Sequence, residues 1–140
     1  MYPKVLIFSC NWDGWSCIET ATSSGFRYPA SVKVVRVSCL SRIHTGLILK
    51  AFEFGVEGVI LLGCEPGNCH FGSDNEYIIK EYKKAQNILE MLGIWKDRLA
   101  LVQLTAFDGH QFVTEVMKFL DEIEQRPVSR RVRTAVSELA

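Results

Sequence analysis

Four short apolar runs recur along the chain, with segments of helical period between them: Lys4 to Ser9, Val32 to Ser38, Gly58 to Gly63 and Leu99 to Leu104. VKVVRVS and GVILLG are rich in β-branched or aliphatic residues and are bounded by Pro29 and by glycines, which predicts buried strands. Between the runs, Ile43, Leu47, Ala51 and Phe54 fall at roughly helical spacing, and Gly55 supplies a stop signal. Ile78, Tyr82, Ala85, Leu89 and Leu92 form one stripe of a helix over Asn75 to Leu92, closed by Gly93. A last helix is expected from Asp108, where Asp108 and Gln111 match a capping box. It carries Phe112, Val116, Phe119, Leu120 and Ile123 before Pro127. A shorter helix fits between Cys10 and Pro29, ending near Gly25.

Strand and helix therefore alternate four times. That order predicts a three-layer α/β domain with a four-stranded parallel sheet, flavodoxin-like or Rossmann-like, joined by right-handed crossovers. In such a sheet every strand ends at one edge, and sites gather in the crevice beyond it. Three of the four runs lead directly into a cysteine: Cys10, Cys39 and Cys64. The topology would bring these distant residues close together.

Sixteen basic side chains balance sixteen acidic ones over 140 residues, so no global field draws nucleic acid or an anionic membrane. MYPKVLIFSC has too short an apolar stretch for a signal peptide, and no run approaches a membrane span. A cytoplasmic protein is the expectation. In a reducing compartment, five cysteines point to metal binding or redox work rather than a disulfide framework. One domain is expected over residues 1–125. The arginine-containing tail, 126–140, is read as a frayed terminus or a docking arm.

Cys64 and Cys69 bracket Glu65-Pro66-Gly67-Asn68, and Pro-Gly suits a turn that lets two thiolates face one centre. Cys17 lies just over one turn into a helix starting near Asp13, from which it can look back to the strand end. Amides at that helix start would favour an anionic centre. Soft thiolate ligands select iron–sulfur or zinc. Each cysteine taken singly also fits a small buried hydrophobe. His70 reads as a sulfur partner or a solvated loop residue, and His44 and His110 as helix-start residues. Arg36 and Arg42 flank Cys39 and suit either a reduced centre or surface ion pairs. Trp12, Trp15 and Phe71 form a candidate water-excluding shell. Glycine-rich phosphate loops, the G-x-S-x-G elbow and H-E-x-x-H do not occur.

CNW after the first strand, YP before VKVVRVSC, then SRI and LKAFEFGVEGVILLGCEPGNCHF resemble the delta subunit family of methyl-viologen-reducing hydrogenase. LGIWKDRLALVQLTAFDGHQFVTEV fits the same family, so the resemblance covers approximately residues 3 to 125. It implies a [2Fe–2S] cluster held by four of Cys10, Cys17, Cys39, Cys64 and Cys69. It also implies single-electron relay between a hydrogenase, a formate dehydrogenase or a similar oxidoreductase and an HdrA-like FAD iron–sulfur protein of the heterodisulfide reductase type. One departure stands out: the methanogen form reads C-N-W-C, whereas here Asp13 fills the second cysteine position and Cys17 follows a helical turn later. The rival expectation is a structural zinc–thiolate docking subunit without redox activity.

Overall fold

The structure, a computed structural model, describes residues 2–72 and 75–126. The strands are β1 (Val5–Cys10), β2 (Val32–Val37), β3 (Gly58–Gly63) and β4 (Leu99–Gln103), and the helices are α1 (Asp13–Ser23), α2 (Thr45–Glu53), α3 (Glu76–Met91) and α4 (Gly109–Gln125). All strand pairings are parallel, in the order β2-β1-β3-β4. The domain is therefore a three-layer α/β arrangement, as its alternating pattern predicts. The expectation for an arm after Arg126 lies outside the described residues.

Strand side chains alternate between two separate cores. Val5 and Ile7 of β1 join Ile60 and Leu62 of β3 beneath α1 and α4. Phe8, Val59 and Leu61 face the other way, onto Ile48 and Phe52 of α2 and Ile78 and Leu89 of α3. β3 is buried along its whole length, which explains the unbroken run GVILLG. Its first residue must be small: a Cβ on Gly58 would lie 2.4 Å from Ile123 Cδ1.

Three expectations need correction. β2 is an edge strand rather than a buried one. It pairs only with β1, and Val35 is 42% exposed, with Lys33 and Arg36 also facing out. The buried face of α2 is Thr45, Ile48, Ala51 and Phe52, while Phe54 is 78% exposed. The helix stops at Glu53, and Gly55 turns the chain at φ +98°, so Phe54 leaves the helical stripe. The capping box at Asp108 does not form. Its carboxylate instead accepts from the Thr105 amide and hydroxyl, both at 2.9 Å, and Gln111 bonds Glu115.

The edge of the sheet opposite the cysteines is stitched together. Glu57 and Lys4 exchange two hydrogen bonds, Glu57 N–H to Lys4 O at 2.7 Å and Lys4 N–H to the Glu57 carboxylate at 3.0 Å. The guanidinium of Arg98, 1% exposed, donates to the carbonyls of Glu57 and Arg126. Arg126 in turn stacks over Trp95 at 4.1 Å. Segments preceding β1, β3 and β4 are thus tied to the end of α4.

Candidate metal centre

Parallel strands with neighbouring ends place four thiols around one crevice. Cys10 closes β1 and Cys64 follows β3, its hydrogen-bonded neighbour. Cys39 comes two residues after β2, and Cys69 returns from the loop that begins at Glu65. In that loop Gly67 takes φ +84° and the Asn68 amide donates to Glu65 O, closing the expected turn. Cys10, Cys39, Cys64 and Cys69 line one cavity of about 10 Å³, on the scale of a single water.

The sulfurs fall into two pairs. Cys10 and Cys64 are 3.7 Å apart, and Cys39 and Cys69 are 3.9 Å apart. A disulfide needs about 2.05 Å between sulfurs. Thiolates at ~2.3 Å from one tetrahedral metal ion lie about 3.8 Å from each other. The donor chemistry and the spacing within each pair therefore fit thiolate ligation of a soft metal.

Backbone amides reach both pairs. Gly14 N–H donates to Cys10 Sγ at 3.2 Å, and the Asp13 amide bonds Cys64. The amides of Leu40 and Ser41 and the Ser41 hydroxyl bond Cys39. Burial nevertheless pushes the Cys64 thiol up to about 12, helped by the charge of Cys10. At Cys39 burial acts in the same direction, but the hydrogen bonds from Ser41, Cys69 and Leu40 outweigh it and hold the thiol below its ordinary value. Cys10 and Cys64 form a buried inner pair. Cys39 and Cys69 form an outer pair beside an open groove of about 340 Å³ lined by Ser38, Cys39, Ser41, Arg42 and Phe71.

Cys17 stands apart. It is fully buried against the α1–α4 core, its thiol donates to Gly14 O at 3.2 Å, and it does not line the cavity. Burial, followed by the charges of Cys10, Asp108 and Asp13, pushes it to about 12.

Trp12 stacks on His70 with ring centroids 3.4 Å apart, and Phe71 meets both rings edge-on. Trp12 and Phe71 line the thiol cavity, whereas Trp15 does not. Trp15 lies under Arg36 at 4.1 Å and bonds Glu19, while Arg36 also holds Asn11. His44 caps α2 by accepting from Leu47 N at 3.1 Å, and His110 meets Phe26. Sequence reasoning missed Ser41 and Asn75. Asn75 is buried, lines the cavity in a left-handed conformation (φ 65°) and donates to Cys64 O at 3.4 Å. A lone asparagine just ahead of a helix was the available signal for it.

Residues 5–126 match the family described as methyl-viologen-reducing hydrogenase, delta subunit. The chain is 34% identical over 122 residues to the vhc iron-sulfur subunit of an F420-non-reducing hydrogenase from Methanococcus voltae, covering 87% of this chain and 85% of that one. It is 32% identical over 117 residues to the iron-sulfur subunit of an F420-non-reducing hydrogenase from Archaeoglobus profundus, covering 84% and 85%. A third relative is a subunit of the ferredoxin:CoB-CoM heterodisulfide reductase of Methanosarcina mazei. That match is 29% identical over 123 residues, 88% of this chain but 16% of the longer protein.

The expected [2Fe–2S] cluster is corrected by these findings. The relatives' names say iron-sulfur and give no cluster type. Among the described residues, no group of three or more His, Cys, Asp or Glu side chains is arranged to hold a metal ion. The thiols stand as two pairs. Among the same residues, no helix is long and apolar enough to cross a membrane.

Proposed function

The chain belongs to the methyl-viologen-reducing hydrogenase delta subunit family, and from that premise we propose that it carries electrons between a hydrogenase module and an HdrA-like protein of the heterodisulfide reductase type. The observation that carries this reading is the convergence of Cys10, Cys39, Cys64 and Cys69 on one cavity at the C-terminal edge of the sheet. These four thiols are assigned as ligands of a thiolate-held iron–sulfur centre, the class that the relatives' names print. Cys17 is assigned to packing.

Such a centre, when bound, stores and releases one electron at a time. The chain's own residues prepare its surroundings. Amides of Asp13, Gly14, Leu40 and Ser41 point hydrogen-bond donors at sulfur, where negative charge accumulates. Trp12 and Phe71 line the cavity and would limit water beside the sulfurs. The groove beside Cys39 leaves the outer pair as the side nearer a partner. No substrate bond is broken on this chain in this scheme.

The test is metal and acid-labile sulfide analysis of anaerobically purified protein, with optical and paramagnetic resonance spectra before and after reduction. Iron with sulfide, and absorbance that bleaches on reduction, is the expected result. A colourless protein carrying zinc sinks the electron-transfer reading and leaves a docking protein with a structural metal, since zinc has no redox chemistry.

A further inference from the structure

We propose that the first turn of α1 is a positioning device for the inner thiol pair, in which Gly14 lets the turn sit close enough to the strand ends for its own amide to reach the Cys10 sulfur. The proposal deepens the reading above and rests on it only for its consequence at a bound centre.

Gly14 is buried where α1 presses onto the ends of β1 and β3. A Cβ there would sit 2.9 Å from Leu62 O, 3.0 Å from Ser9 Oγ and 3.1 Å from Cys10 Sγ. The nearest of these is a strand carbonyl, which cannot swing aside as a flexible side chain can. Any larger residue must lift the first turn away from the sheet. Lifting it lengthens the Gly14 N–H to Cys10 Sγ bond, now 3.2 Å. The close approach therefore serves sulfur as well as packing.

Ordinary N-capping is absent at this helix start. Trp12 makes no side-chain cap bond, and the Gly14 amide of the first turn ends on the Cys10 thiol instead. That donor stabilises negative charge on sulfur, and hence the reduced form of a bound centre, raising its potential.

The test has two parts. In metal-free protein, amide hydrogen exchange is followed by NMR in the natural sequence and in Cys10→Ala. Loss of the acceptor is expected to speed Gly14 exchange by up to about tenfold, the scale of one hydrogen bond, while Ile18 and Ala21 inside α1 keep their rates. Unchanged exchange at Gly14 overturns the proposal, whatever metal the protein carries. In the iron-loaded protein, Gly14→Ala is expected to lower the midpoint potential. An unchanged or raised potential overturns it as well. A protein that holds no iron defeats the functional reading alone, because the exchange experiment still decides the role of Gly14.

Discussion

The inner and outer thiol pairs use the same atoms at the same edge of one sheet, yet they stand in different surroundings. Cys10 and Cys64 end the two central strands, where neighbouring strand ends and the first turn of α1 enclose them. Cys39 and Cys69 come from an edge strand and a loop, beside an open groove. The thiol of Cys64 is pushed up to about 12 and that of Cys39 is lowered. Place in the strand order, more than residue type, separates Cys64 from Cys39 in how readily the thiol ionises.

Thiol alkylation in the metal-free protein breaks or sharpens the comparison most directly. A rise from the ordinary 9.0 to about 12 leaves Cys64 with roughly 1,000-fold less thiolate below pH 9. Peptide mapping after iodoacetamide treatment is expected to find Cys39 labelled first. Labelling of Cys64 should climb with pH until about 12, whereas that of Cys39 levels off below 9. Equal labelling would erase the distinction between the pairs.

Metal retention comes next. Cys10→Ser and Cys64→Ser should each weaken metal binding by more than the roughly 100-fold that loss of an outer-shell partner costs, as read by competition with a chelator. Cys17→Ala should leave metal content unchanged. Stripping by the Cys17 variant would move that residue into the ligand set and displace one of the other four.

Alkaline melting gives a smaller effect. Cys17 has a folded value of about 12, above its ordinary 9.0, so folded and unfolded states bind the same proton below pH 9. Above 9 the unfolded chain ionises first, and the stability tied to the neutral buried thiol drains away up to about 12. The metal-free protein should therefore lose melting temperature across that window, and Cys17→Ala should flatten the decline. A decline just as steep in the variant would assign the effect to other groups.

The strands that bear the pairs should differ least. Ile60→Val in buried β3 is expected to cost about 0.5–1.5 kcal/mol in denaturant unfolding. Val35→Ala on the exposed side of β2 should stay within about 0.5 kcal/mol. Equal costs would mean that β2 is as well covered as β3.

Much of this architecture is legible in the sequence, because GVILLG and the stripe Phe112, Val116, Phe119, Leu120 and Ile123 are patterns set by burial alone. What escapes is decided by neighbours. VKVVRVS reads as a buried strand until the strand order places it at an edge, where Lys33 and Arg36 find solvent. Asp108 has the right spacing for a capping box, but Thr105 takes its carboxylate first. The strand-end cysteines announce a site, whereas their pairing does not, since only the adjacency of β1 and β3 makes Cys64 the partner of Cys10. Cys17 shares a segment with Cys10, and a helical turn carries its sulfur into the core instead.

The stitched edge around Arg98 has a mechanical consequence. Its guanidinium ties the approach to β3 to the end of α4 at the base of the domain, so those segments could part only by leaving a buried charge without its carbonyl partners, while the thiols stand at the opposite rim on strand ends and a loop.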